Sequence, residues 1–315
     1  MLKTVFFGTP DVAVPFLKVL AEKTDVKLVV TQPDRPKGRG LVLTPCPVKD
    51  FALKNNLPVA SPEKLKDFVP NIAALNADIG ICVAYGKIFR KPALDAFRQG
   101  IVNVHFSLLP KYRGASPVQS ALMNGETKTG ITLFSIDEGM DTGAIISTKE
   151  TDILPQDNAV TLFEKLTNIA TEVLEDFLIK AENQTYTKTP QSGTPSFAPL
   201  ISKEQTLINF ENQTAEQINN LVRALAAGAP GFAKATTPDG QIVQIIKTSL
   251  PPSPQNAKNY PAGALVSIER NVGFLVKCKE GVLSVETVRP AGKSLMPAFA
   301  YINGKKYHEG NIIFK

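Results

Sequence analysis

Strand-like and helix-like stretches alternate through the first half of this chain, and that alternation narrows the fold more than any other feature. "KTVFFG" over residues 3–8 is a short β-rich run closed by a glycine. "DVAVPFLKVLAE" follows, with Val14, Leu17, Leu20 and Ala21 at helical spacing and Pro15 in the first turns. "DVKLVVTQ", "ADIGICVAYG" and "GIVNVHFS" read as further buried strands over 25–32, 77–86 and 100–107. "PVKDFALKNN", "EKLKDFVPNIAALN" and "KIFRKPALDAF" read as helices between them. Strands interleaved with helices imply βαβ units and a mostly parallel sheet covered on both faces. Two later strands, "GITLFSID" and "AIISTKETDI", and a long helix over 158–183 complete a Rossmann-like α/β domain expected at 1–183. That helix carries an apolar stripe of Leu162, Leu166, Ile169, Val173, Phe177 and Ile179.

The texture then changes. "QTYTKTPQSGTPSFAPL" is rich in Thr, Ser, Pro and Gly and reads as part of a linker over 184–205. A helix, "TAEQINNLVRALA", comes next, with Thr214 at the N-cap and Gln217 at the capping-box position. "GQIVQIIKTS", "GALVSIER", "GFLVKCKE" and "GVLSVETV" then recur between turns. Short strands at that spacing predict a small antiparallel, OB-like β-barrel over 206–315.

Charge follows the same division. Residues 1–205 hold 23 Lys and Arg against 22 Asp and Glu, whereas residues 206–315 hold 12 against 7. A basic second half fits a polyanionic partner, although a small surplus also serves solubility. No run approaches the roughly 18 apolar residues of a membrane span. The "MLKTVFFGTP" start reads as a first strand and not as an address. Cys46, Cys82 and Cys278 are odd in number and far apart, which disfavours a disulfide framework and a thiolate metal site. A reducing cytoplasm is the simple expectation.

Several motifs fall away. Gly8-Thr9-Pro10 closes the first strand without the rest of a dinucleotide fingerprint, so a nucleotide cofactor has no support. "AGKS" over 291–294 imitates a phosphate loop but has Thr287 where the first glycine belongs. With two histidines and scattered cysteines, no metal is expected. "TQPDRPKGRG" is less ordinary: Arg35, Lys37 and Arg39 stand among two prolines and two glycines. That composition predicts an irregular exposed loop, either a solvated basic loop or a finger that reads phosphate.

The sharpest question is "NVHFSLLPKYRG" over 103–114, which holds one of the two histidines. Strand alternation would place Asn103, His105 and Ser107 on one face. Asp141 follows in the glycine-flanked "IDEGMDTGA". A lone histidine is commonly a satisfied structural residue. A Ser107–His105–Asp141 hydrolase is another reading, but no G-x-S-x-G elbow exposes the serine. Asn, His and Asp together suit attack on a carbonyl, with a donor for the oxyanion and a titratable pair for the proton.

At this point the residues carry a resemblance. "FFGTPDVAVPFL", "TQPDRPKGRG", "VAYGKIF", "NVHFSLLPKYRGASPVQSAL", "DEGMDTGAII" and "APLISKEQTLINF" follow in order, and the whole resembles the tRNA branch of the folate-dependent formyltransferase family. The resemblance implies transfer of the formyl group of 10-formyltetrahydrofolate, a co-substrate, to the α-amino group of methionine on initiator tRNA. It implies Asn103, His105 and Asp141 as catalytic residues. It implies a folate site at Ser107, Leu108, Leu109 and Pro110, with Val83, Ala84, Tyr85 and Gly86 beside it. Arg35, Lys37 and Arg39 fall in the loop that reaches the acceptor stem, and the 206–315 domain is the expected tRNA-binding part. A monomer with no membrane partner is expected. Phe106 stands where the family usually has a small residue, and alternation turns it to the opposite face. A formyltransferase for a small amine, and a folate- or RNA-binding protein without activity, remain as alternatives.

Overall fold

A computed structural model describes residues 1–37 and 42–315. The elements of the first part, in chain order, are β1 (Lys3–Gly8), α1 (Val14–Lys23), β2 (Asp25–Val30), β3 (Arg35–Lys37), β4 (Val42–Thr44), α2 (Pro47–Lys54), β5 (Val59–Ala60) and α3 (Leu65–Ala74). They continue with β6 (Ile79–Val83), α4 (Lys91–Leu94), β7 (Ile101–His105), α5 (Pro117–Met123), β8 (Lys128–Ser135), β9 (Ile145–Asp152) and α6 (Ala159–Glu182). Two compact units result. The first comprises Met1–Pro117, Lys128–Asp152 and Phe163–Ala198; the second comprises Val118–Thr127, Ile153–Leu162 and Pro199–Lys315.

In the first unit seven strands pair in the order β5-β2-β1-β6-β7-β8-β9. The five from β5 to β7 are parallel, and β8 and β9 are antiparallel additions. The central strand β6, "IGICV", is buried at every position, as a parallel strand covered on both faces must be. The chain leaves β1 toward β2 on one side and returns as β6 on the other. Such a switch point opens a crevice at the carboxyl ends of the strands, where ligands bind in open α/β sheets. β7 lies one strand further on and ends beside it.

Three local readings change. Strand β7 stops at His105, so Ser107 lies in the bend beyond it and the alternation that put it on the face of Asn103 does not reach that far. Phe106 does turn into the core, 6% exposed, with its ring edge-on to Phe16 at 6.3 Å and Phe163 at 5.7 Å. Ring pairs of this kind are worth about 0.5–1.5 kcal/mol each beyond their buried area. The helix expected over 87–97 shrinks to α4, because Pro92 has no N–H to donate and is accommodated in a first turn, so the helix opens at Lys91. The "TQPDRPKGRG" loop is not wholly irregular: Arg35, Pro36 and Lys37 pair with Thr44, Leu43 and Val42 in a two-stranded hairpin. Proline is tolerated there because a two-stranded ribbon has an open edge.

Residues 184–198, read from composition as linker, run along the first unit. Ile145 and Thr189 form an antiparallel bridge, and Arg113 and Phe197 a parallel one.

The second unit continues with α7 (Ala215–Ala224), β10 (Ala233–Thr236), β11 (Ile242–Ser249), β12 (Leu265–Glu269), β13 (Gly273–Lys277), β14 (Val282–Pro290), β15 (Met296–Pro297) and α8 (Ala298–Lys305). Its sheet is antiparallel, ordered β10-β11-β14-β13-β12, with β15 on β14. Phe210, Ile218, Leu225, Phe274, Val285, Ile302 and Phe314 meet in one core. The capping box forms as the sequence predicts: Thr214 Oγ1 accepts from Gln217 N at 3.2 Å, and Gln217 Oε1 accepts from Thr214 N at 2.9 Å. Among the described residues no helix is long and apolar enough to cross a membrane.

Candidate active site

β7 delivers two polar side chains to the end of an otherwise apolar sheet. Asn103 sits between Cys82 of β6 and Phe134 of β8, and His105 lies opposite Thr132. Asn103 is half-buried, and its carboxamide makes no hydrogen bond within the described residues. His105 is 6% exposed. Its Nε2 lies 2.9 Å from the Tyr112 carbonyl, which can only accept, so Nε2 carries the proton. Nδ1 is then the basic nitrogen, and it faces Asp141 Oδ2 at 3.7 Å. Burial pushes the imidazole below its ordinary pKa of 6.5, against the opposing pull of the Asp141 charge and the Tyr112 bond. The ring is therefore neutral at pH 7, with its free lone pair toward a carboxylate.

Asp141 is held by backbone. Its Oδ2 accepts from Gly114 N at 2.7 Å, and the residue itself has a left-handed φ of 52°. The loop over 136–144 is closed at its base by Ser135 N on Ala144 O at 2.9 Å and by Ile136 N on Ile101 O at 2.7 Å. Asp137 Oδ1 accepts from Gly139 N and from Thr142 Oγ1 inside it. The Asp141 charge is also felt at Cys82, the strand neighbour of Asn103, so the carboxylate acts on both sides of the pair. Burial first, and that charge next among the raising influences, push the Cys82 thiol up to about 12. His105 and Asp141 thus meet at the end of β7, and Asn103 lies two residues earlier on the same strand.

The turn after β7 is tightly bonded. Ser107 Oγ donates to the Lys111 carbonyl at 2.6 Å, so its hydroxyl is committed within the turn. Thr132 Oγ1 donates to Ser107 O at 2.7 Å and accepts from Leu109 N at 3.1 Å. Leu108 is half-buried and Leu109 buried, with Pro110 after them. Val83 ends β6, and Ala84 and Gly86 follow with φ of 47° and 76°. Tyr85 between them is buried against Phe7 and Phe89, and its carbonyl accepts from Gln32 Nε2 at 2.8 Å. Both expected folate segments therefore lie at the carboxyl ends of neighbouring strands. Arg35 is exposed on the hairpin. Lys37 lies on the same strand, and Arg39 lies outside the described residues.

Sequence reasoning missed the residues that hold this group. The Tyr112 carbonyl and the Gly114 N–H lie in the 103–114 stretch but were given no role there, and the Gln191 side chain belongs to no motif. Only the glycine left a signal: Gly114 has φ of 119°, and a Cβ there would stand 2.7 Å from the Ala198 carbonyl oxygen.

Comparison with known proteins fits this geometry. Residues 2–178 match the family model described as formyl transferase, and residues 200–306 match that of the formyl transferase C-terminal domain. The chain belongs to the formyl transferase family. A relative from Elusimicrobium minutum named methionyl-tRNA formyltransferase is 48% identical, over 99% of this chain and 100% of its own. Another of that name, from Thermodesulfovibrio yellowstonii, is 42% identical over 97% of each. Among solved structures, a sugar 3N-formyl transferase determined with dTDP and 5-N-formyl-THF superposes with a TM-score of 0.67 at 22% identity, covering 93% of this chain and 99% of its own. An N-formyltransferase from Helicobacter canadensis gives 0.66 at 21%, covering 90% and 99%. These two show that the formyl transferase fold is shared. Among the described residues no cluster of His, Cys, Asp and Glu could hold a metal ion.

Proposed function

We propose that this formyl transferase moves the formyl group of 10-formyltetrahydrofolate to the α-amino group of methionine carried on initiator tRNA. The supporting observation is the convergence of Asn103, His105 and Asp141 in a chain 48% identical, along its length, to a relative named for that reaction. The amine nitrogen attacks the formyl carbon, a C–N bond forms, and the carbonyl oxygen takes the negative charge. The Asn103 carboxamide, free of protein partners among the described residues, donates to that oxygen. His105 Nε2 is engaged by Tyr112, so Nδ1 takes the proton that the amine sheds, and Asp141 stabilises the imidazolium. Collapse breaks the bond to the folate nitrogen, which receives the proton back. Folate is consumed as a substrate and brings the activated carbon.

Segments 83–86 and 107–110 form the folate walls in this reading. Ser107 contributes shape and backbone there, since its hydroxyl is engaged. Arg35, Lys37 and Arg39 meet acceptor-stem phosphates, and the basic 206–315 region carries the rest of the tRNA, with the division at 184–205. The protein works as a cytoplasmic monomer.

The deciding assay uses purified protein, 10-formyltetrahydrofolate and charged initiator tRNA, with free methionine and an amino-sugar nucleotide as competing acceptors. Formylation of the charged tRNA is expected. Asn103→Ala and Asp141→Asn should lower turnover by about a hundred- to ten-thousand-fold while tRNA binding persists. Preference for either small amine, or no transfer at all, would overturn the reading.

A further inference from the structure

Gln191 lies outside regular structure in the 184–198 stretch, yet its amide makes three hydrogen bonds at the edge of the site. Nε2 donates to the carbonyl oxygen of Asp141 at 2.8 Å and to that of Gly143 at 2.9 Å. Oε1 accepts from Arg113 Nη2 at 2.7 Å. The two carbonyls belong to the residue that carries the carboxylate and to the glycine two positions on, and Asp141 has a left-handed φ that persists in a non-glycine residue only where its surroundings over-determine it.

Arg113 is anchored in turn. Its N–H donates to Ser196 O at 2.9 Å, and its carbonyl accepts from Ala198 N at 2.7 Å. Ser196 Oγ accepts from Tyr112 N at 2.9 Å, and Tyr112 is the residue whose carbonyl holds His105. Residues 191–198 therefore reach both members of the proton pair, Asp141 through Gln191 and His105 through Ser196 and Tyr112. The 136–144 loop keeps its base bonds and its internal Asp137 contacts without Gln191. What Gln191 adds is the placement of the Asp141–Gly143 stretch.

We propose that Gln191 is a positioning residue that sets the spacing between the Asp141 carboxylate and His105 Nδ1 by clamping the backbone carbonyls of Asp141 and Gly143. The inference rests on reading His105 and Asp141 as the proton-transfer pair.

Gln191→Met tests it, because methionine keeps the length and bulk and removes all three hydrogen bonds. Turnover with charged tRNA should fall about tenfold to a hundredfold, the cost of a small misplacement, with KM for either substrate changed less than about threefold. A second readout needs no turnover. In a His308→Gln background His105 is the one remaining histidine, and its imidazole resonances can be followed against pH. Among the described residues Asp141 is the charged group that acts on the ring, and Phe134 and the Tyr112 carbonyl also lie against it. If the carboxylate drifts away, the His105 midpoint should drop below that of the parent, which loss of overall stability would not produce. Arg113→Met removes only the bond that orients Gln191 and should shift both readouts in the same direction by less; it serves as the test should Gln191→Met not fold. Parent-like turnover and midpoint in whichever variant folds would overturn the inference. A parent that formylates nothing while the midpoint still moves would instead sink the proposed function and leave the clamp standing.

Discussion

Two stretches of this chain are built from nearly the same alphabet and end up with opposite characters. "QPDRPKGRG" and "LLPKYRG" each follow a strand and each mix Pro, Lys, Arg and Gly. In the first, Arg35–Lys37 pair with Val42–Thr44 and Arg35 is exposed, and among the described residues its base is tied by Gln32 to Thr9 and Tyr85 and by Lys49 to Asp34 at 2.7 Å. The second is bonded by side chains and backbone distant in sequence: Thr132 to Ser107 and Leu109, Asp141 to Gly114, Ser196 to Tyr112. Composition is alike; what differs, among the described residues, is which remote groups bond the loop. A turn enclosed by such partners can hold an imidazole and a carboxylate in register, whereas an open hairpin can offer charge to a large partner.

That contrast can be broken at Gly114. Gly114→Ala puts a Cβ against the Ala198 carbonyl in a left-handed conformation and pulls the N–H from Asp141. Backbone strain of this kind costs about 1–3 kcal/mol. Turnover should fall on the order of a hundredfold from the displaced carboxylate; steady-state kinetics that match the parent would mean the turn is not so tightly determined. Thr132→Val sharpens the comparison through stability. It removes both hydroxyl bonds to the turn, leaving Ser107 O and Leu109 N without that partner, and should destabilise the fold by about 1–3 kcal/mol in denaturant titration. The smallest effect belongs to the hairpin. Arg35→Ala should leave stability and kcat alone, weaken tRNA binding modestly, and lower the log–log salt slope by about 1. A change of kcat without a change of salt slope would place Arg35 with the enclosed turn and end the distinction.

The strand and the loop that carry the candidate site were legible in the sequence. Asn103 and His105 alternate correctly because β7 is a true strand over both, and Asp141 is flagged by the glycines around it. Thr214 and Gln217 announced their capping box because capping is a local interaction. The readings that failed needed knowledge beyond the window. Ser107 lies two residues past the end of β7, where its carbonyl accepts from Thr132, a residue of the next strand. The β3–β4 pairing depends on two short runs meeting across a glycine-rich stretch. Gln191 was unreadable for the same reason, since its three partners lie 48 to 78 positions away.

Cys82, buried beside Asn103, has a chemical consequence of its own. Burial and the Asp141 charge push its thiol up to about 12, away from the thiolate, which is the form that alkylating agents and peroxides attack. Cys46 and Cys278 are buried as well. The candidate site thus holds sulfur on the strand next to Asn103 in its least reactive form, so a warhead aimed at cysteine would find a poor target at Cys82.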